Sequence, residues 1–181
     1  LAEALAALDP DVLITLETPA ALLSDPGPLA DALPFARLPR SPRAPALRTS
    51  IPLLAGAERD RIGPHPDHVF ATLDLGRAVL AVMGVHLDWP TFGEQAWQLE
   101  DFNRFWRLLS TPNLVVAGDF NAAPWSAAVD RIEDIARAQV IGGVRPTYFG
   151  GVGGRGGRIP VPFGLPVDHV LVSQPIGVVD I

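Results

Sequence analysis

Apolar positions in this chain fall into short continuous runs and helical stripes, separated by proline- and glycine-rich breaks. Leu1, Leu5 and Leu8 recur at helical spacing among alanines, the best helix formers, and Asp9-Pro10 closes that segment. Val12-Leu13-Ile14-Thr15-Leu16 reads as a strand with Glu17 at its tip. Seven prolines between 18 and 45 leave room for a short helix over 19–32 and an edge strand near 34–38. A strand is expected over 46–54 and a polar loop over 55–67. Residues 69–75 alternate, Gly76-Arg77 supplies a hairpin turn, and 78–86 is a long apolar strand ending at His86. The clearest helix pattern covers 93–109, where Ala96, Trp97, Leu99, Phe102, Phe105, Trp106, Leu108 and Leu109 make a broad apolar face. Its aromatics read as core packing, not as a platform for stacking bases. Leu114-Val115-Val116-Ala117 runs unbroken into Gly118, as a strand buried on both faces does. Ser126 is placed to cap a helix through Gln139, and 166–173 is the last strand.

Composition narrows the classes. At 181 residues, 48% of them hydrophobic, the chain is one domain's worth (1–181) and can bury a sizeable core. No apolar run approaches the roughly 20 residues that cross a bilayer, so a soluble domain is expected. Its place in the cell stays open, and membrane segments would have to lie upstream of Leu1. There is no cysteine, which excludes disulfides and thiolate metal sites. All 14 basic residues are Arg, and the net charge of -6 argues against tight non-specific binding to nucleic acid. A small phosphodiester or lipid headgroup is a better match to that charge than duplex DNA. A monomer is expected. Leu1 opens in mid-pattern without an initiator Met, so the chain is expected to be part of a longer protein.

The chemistry gathers at Gly118-Asp119-Phe120-Asn121-Ala122-Ala123-Pro124. Asp119 and Asn121 sit at the carboxyl end of a buried strand, where open α/β sheets place ligands. At i, i+2 both side chains point one way if the extended geometry persists. A carboxylate beside a carboxamide suits a phosphate site: one orients water or takes a proton, the other donates to a phosphoryl oxygen. The same residues also suit an ordinary Asx turn after a core strand. Glu17 is either a solvated strand terminus or a functional carboxylate, since burying it unpaired is costly. His65 and His68 stand three apart, but without a third ligand they read as solvated loop residues. Between 150 and 157 six of eight residues are Gly. That stretch reads as a flexible surface loop rather than a phosphate cradle, with Arg155 and Arg158 as candidate substrate contacts. Trp125 is equally a pocket wall or a core residue. A serine hydrolase built on Ser126 or Ser173 lacks the Gly-x-Ser-x-Gly elbow.

Gly118-Asp119-Phe120-Asn121-Ala122 with Pro124 resembles the GDFNA motif of the endonuclease/exonuclease/phosphatase superfamily. That superfamily includes DNase I-like nucleases, abasic-site endonucleases, neutral sphingomyelinases and inositol-polyphosphate 5-phosphatases. Asp9-Pro10-Asp11-Val12-Leu13-Ile14-Thr15-Leu16-Glu17 is similar to its metal-binding Glu segment, with Leu16 where Gln is common. The strand ending in His86-Leu87 resembles the family element whose His contacts the scissile phosphate. Pro146-Thr147-Tyr148 resembles a segment near the active face, and Val167-Asp168-His169-Val170-Leu171-Val172-Ser173 resembles its "IDHVLVS" strand.

The resemblance implies a DNase I-like four-layer α/β sandwich, two packed mixed β-sheets with outer helices, spanning nearly the whole chain. It implies a metal-dependent phosphoester hydrolase in which water attacks phosphorus in line. Glu17 would hold Mg²⁺ (or Mn²⁺), Asp119 would position the water, and Asn121 and His86 would stabilise the phosphoryl oxygens. Asp168 would be a buried acid orienting a catalytic histidine. His169, on the opposite strand face, would not be that histidine. The family's first strand, which carries an Asn, and its terminal Ser-Asp-His are expected to lie outside this segment, which alone is expected to be inactive. A non-catalytic member binding a phosphate ligand or a protein in the same cleft is the alternative.

Overall fold

The computed structural model describes residues 1–39, 41, 43–54, 68–90, 93–106, 112–152, 159–160 and 163–179. Two sheets carry the fold. The smaller is antiparallel, in the order β1 (Val12–Thr15), β3 (Ala46–Thr49), β2 (Phe35–Arg37). The larger is mixed and contains β4 (His68–Asp74), β5 (Val79–His86), β6 (Leu114–Asp119), β10 (Asp168–Ser173) and β7 (Ala138–Ile141), in that order. Its parallel pair is β5 with β6, running from Ala81 opposite Leu114 to His86 opposite Asp119.

Residue parity on the central strands sorts the layers. Ala81, Met83 and Val85 of β5 and Leu114 and Val116 of β6 point to one face. There they pack against α4 (Glu94–Trp106) through Leu99 and Phe102, and against α5 (Ala127–Ala136) through Val129 and Ile132. The other face, carrying Val69, Ala71, Leu73 and Val82, meets Leu47, Val12 and Ile14 of the small sheet. Short helices α1 (Ala2–Ala6), α2 (Ala20–Ser24) and α3 (Pro28–Ala32) close the outside of the small sheet through Leu22, Leu29, Leu33 and Leu5. The result is a helix–sheet–sheet–helix sandwich. Burial on both faces explains why β5 and β6 are continuous apolar runs rather than alternating ones.

Several boundaries differ from the sequence reading for local reasons. The helix expected over 19–32 is two, because Pro26 cannot continue a helix and Gly27 takes a positive φ of 52° before Pro28 restarts it. The strand expected over 46–54 stops at Thr49, whose Oγ1 accepts the Ile51 N–H at 3.0 Å and turns the chain. Leu53 then bridges to Leu73 on the edge of the larger sheet. The helix from Ser126 ends at Ala136 rather than Gln139, because Arg137 adopts the left-handed conformation and releases the chain into β7. His68 is the first residue of β4, not a loop residue. Tyr148 pairs with Leu165 beside the short ribbon β8 (Gly151–Val152) and β9 (Ile159–Pro160). Among the described residues no helix is long and apolar enough to cross a membrane.

Candidate active site

The site is assembled on the inter-sheet side, where β1, β5 and β6 end and β10 begins. Asp119 is its hub. Parallel pairing sets it opposite His86, and antiparallel pairing sets it opposite Asp168. Glu17 lies just past β1, on a residue with φ 48° that turns the chain out of the strand. The carboxylate of Asp119 feels Glu17, His86 and Asp168 together, so the sheet register gathers four residues from distant parts of the chain. Its pKa is raised, first by burial, then by the like charges of Asp168 and Glu17; the Asn121 N–H and His86 oppose the rise.

His86 is buried and held by its other nitrogen. Nδ1 lies 3.0 Å from the Arg43 carbonyl oxygen, which can only accept, so Nδ1 carries a proton. Nε2 lies 3.8 Å from Asp119 Oδ2, too far for a direct hydrogen bond. The neutral ring therefore turns its unprotonated nitrogen toward the carboxylate, and protonation would place an N–H there.

Gly118 makes this packing possible. A Cβ at its position, where φ is 146°, would lie 1.9 Å from the Val85 carbonyl oxygen, so only glycine fits at the approach of β6 to β5. After Asp119 the strand geometry does not persist. Asn121 has φ 45°, and its backbone N–H donates to Asp119 Oδ1 at 2.8 Å, closing an Asx turn. The two side chains thus do not run parallel as an extended segment would place them. Asn121 is 6% exposed, and its Nδ2 donates to the Leu87 carbonyl at 2.7 Å, tying the exit of β5 to the exit of β6.

Asp168 departs from expectation. It is exposed, not buried, because it opens β10 on the inter-sheet face beyond the cover of the three-stranded sheet, where Val170 is also 40% exposed. Its neighbour His169 points the other way: it is buried, 2.7 Å from the Ala122 carbonyl through Nε2, with its ring edge-on to Phe120. Glu17 is exposed as well. Trp125 is 67% exposed and is no core residue. Trp97 is likewise exposed, whereas Phe102 and Trp106 stack in the packing face as expected. His65, Arg155 and Arg158 lie outside the described residues.

Other residues hold the site: Thr147, from the Pro146-Thr147-Tyr148 segment expected near the active face, and Gln95, Gln98 and Arg145, which the sequence reading did not single out. Thr147 Oγ1 accepts the N–H groups of Val167 and Asp168 at 3.2 and 3.1 Å, fixing the start of β10. Gln95 Nε2 donates to the carbonyls of Asp88 and Phe120, and Gln98 brackets Asp88 through its N–H and its carboxylate. Two glutamines at i, i+3 on an apolar helix face were the available signal. Arg145 and Asp168 line a cleft of about 370 Å³ beside Gly118. A larger cleft of about 550 Å³ opens behind Asn121.

Hard oxygen donors from Glu17, Asp119 and Asp168 suit a hard divalent cation, and their mutual repulsion is what such a cation relieves. Among the described residues no three Asp, Glu or His side chains close into a ligand set by themselves.

The model of the endonuclease/exonuclease/phosphatase family matches residues 1–181. No curated protein matches by sequence. Among solved structures, the human nocturnin catalytic domain is similar, at 16% identity and a TM-score of 0.61, over 95% of this chain and 72% of that one. The 3' phosphatase NExo from Neisseria, solved with a product DNA hairpin, matches at 20% identity and 0.59, over 96% and 80%. Sphingomyelinase C from Streptomyces griseocarneus matches at 18% and 0.60, over 96% and 75%.

Proposed function

The chain belongs to the endonuclease/exonuclease/phosphatase family, and from that premise we propose that the protein is a divalent-metal-dependent phosphodiesterase that cleaves a P–O bond by in-line attack of water. The family acts on phosphoesters. The observation that carries the finer reading is the convergence on Asp119 of Glu17, His86 and Asp168 at one end of the sandwich. Glu17, with Asp119 alongside, is the residue that would hold Mg²⁺ or Mn²⁺. The ion, when bound, supplies polarisation of a phosphoryl oxygen and offsets its developing charge.

The chain's own residues do the positioning. Asp119 accepts a hydrogen bond from the attacking water and aims its lone pair at phosphorus. His86 Nε2, fixed by the Arg43 carbonyl behind it, donates its proton to a phosphoryl or leaving oxygen once the ring is charged. Asn121 has one amide N–H engaged by Leu87 and directs the other toward the phosphoryl group. Arg145, on the cleft beside Asp168, supplies positive charge for the phosphate. NExo was solved with DNA and another neighbour is a sphingomyelinase, so fold likeness alone leaves nucleic acid and lipid headgroup both open.

Hydrolysis of bis-p-nitrophenyl phosphate by the full-length protein, with Mg²⁺, Mn²⁺ or EDTA, tests this reading. Turnover that requires the metal supports it, and EDTA-resistant turnover removes the metal mechanism. Phosphate binding without turnover under any condition favours a non-catalytic member of the family.

A further inference from the structure

Helix α4 buries a polar residue on the stripe with which it packs. Gln95, Gln98, Leu99 and Phe102 are all buried, and Gln95 is 4% exposed. A buried amide costs free energy unless it is hydrogen-bonded, and methionine would fill nearly the same volume without that cost. The reason for an amide lies in its partners. Gln95 Nε2 donates to the Asp88 carbonyl at 2.8 Å and to the Phe120 carbonyl at 3.0 Å. Carbonyl oxygens only accept, so the amide nitrogen faces them and each takes one of its two N–H bonds. Asp88 is two residues past His86, and Phe120 is next to Asp119. One side chain therefore spans the exits of the two strands that carry the site.

No hairpin holds those exits together. β5 and β6 run parallel, so the chain leaving β5 enters α4 and the chain leaving β6 enters α5. Past the pairing of His86 with Asp119, the Leu87 N–H still reaches the Asp119 carbonyl at 2.8 Å. Beyond that bond side chains take over from the ladder. Asn121 Nδ2 reaches back from the end of β6 to the Leu87 carbonyl, whereas Gln95 comes from a third element and grips both exits. His86 Nε2 and Asp119 Oδ2, 3.8 Å apart, keep that approach only while the exits stay together.

We propose that Gln95 is a positioning residue of the active site: its buried amide clamps the two strand exits and so sets His86 and Asp119 at their working separation. The inference rests on the phosphodiesterase reading for its kinetic consequence, while the clamp is read separately from amide exchange. Gln95→Met in the full-length protein removes both donors at nearly constant volume. Its kcat on bis-p-nitrophenyl phosphate should fall about tenfold or more, with KM within about twofold of the parent, because a displaced catalytic pair weakens the transition state and not the encounter with substrate. Leu99→Ala, one turn along the same helix, opens a cavity in the packing and lowers Tm, yet should keep parental kcat in the folded enzyme. Amide exchange followed by NMR adds a readout that needs no turnover. The Leu87 N–H bonds Asp119 at the exits, and the Ala81 N–H bonds Asn113 at the opposite end of the strand pair. Global destabilisation speeds both, whereas parting of the exits speeds Leu87 alone. The ratio of the Leu87 to the Ala81 rate should rise about fivefold in Gln95→Met, the factor that the net worth of one hydrogen bond gives, and should not rise in Leu99→Ala.

Parental kcat in Gln95→Met, or an unchanged exchange ratio, overturns the proposal. So does an equal loss of kcat in Leu99→Ala, which would trace the effect to helix packing at large. Gln95→Asn keeps an amide too short to span both carbonyls, and carries the same two readouts where Gln95→Met does not fold. The two readings fail separately. Metal-dependent turnover by the parent, with no effect of Gln95→Met, removes the clamp alone. A raised exchange ratio where the parent itself does not turn over keeps the clamp of the exits and removes the catalytic reading.

Discussion

At the scale of the residue, Asp119 holds a charge that the folded chain disfavours. Its pKa is raised chiefly by burial and by Asp168 and Glu17, so folding favours its protonated form. The sign follows from linkage: that contribution to stability is present below the unfolded carboxylate value and is lost as pH rises through the raised folded value. Asp119→Asn keeps an oxygen for the Asn121 N–H and deletes the repulsion. It should melt at higher temperature than the parent at neutral pH without metal, with the gap closing in acid. The same change should lower turnover about 10²- to 10⁴-fold; parent-like turnover would exclude Asp119 from the chemistry. His86 is separable in a similar way. His86→Asn leaves a donor near Nδ1 for the Arg43 carbonyl but removes Nε2, so Tm should hold while turnover falls about 10²-fold. His86→Ala should also unfold more easily, by about 0.5–1.5 kcal/mol, because the partly buried hydrogen bond to that carbonyl is lost. The sequence singles out Asp119 and Asn121 through GDFNA, Glu17 through the DPDV segment, Asp168 through DHVLVS and His86 through the strand ending in His86-Leu87, and the sheet register brings Glu17, His86 and Asp168 to Asp119. Their geometry was not legible there, because the left-handed turn at Asn121 and the exposure of Asp168 depend on pairings made across the whole chain.

At the scale of the element, the strands that carry the site were read almost to the residue, since burial on both faces writes a continuous apolar run into β5 and β6. Breaks were harder to place. Arg137 ends α5 in a left-handed conformation with no glycine to announce it, and β7 begins at once. The role of Gly118 emerges only when β5 lies beside it. Gly118→Ala would drive a methyl group into the Val85 carbonyl, so β6 must shift from β5 and carry Asp119 away from His86. A loss on the order of 3 kcal/mol is expected in a denaturant titration, together with loss of turnover in whatever fraction stays folded. A parent-like midpoint would mean that the strands have slack at this point. Ser126→Ala provides a contrast. It removes the cap on the Val129 N–H and should cost about 1 kcal/mol, while leaving KM and kcat of the folded enzyme near parental values.

At the scale of the whole molecule, charge and architecture combine. The net charge is -6, and the sandwich brings Glu17, Asp119 and Asp168 to one end of the sheets. A fold that concentrates like charge at one point is stabilised by whatever neutralises it. A cation that binds the folded state and not the unfolded one raises stability by RT ln(1 + [L]/Kd), about 2.7 kcal/mol at a hundredfold excess over Kd. For a domain of this size that is a rise in Tm of roughly 5–10 °C. Mg²⁺ should therefore lift the melting temperature at neutral pH, and EDTA should return it to the metal-free value. The rise should shrink as pH falls, because protons compete for the same carboxylates, and it should be smaller in Asp119→Asn and in Glu17→Gln. Salt without a divalent ion separates site binding from general screening, since screening acts on all exposed charges and would shift parent and variants alike. A melting temperature indifferent to Mg²⁺ in the parent, or one raised equally in both variants, would detach the acid cluster from metal binding.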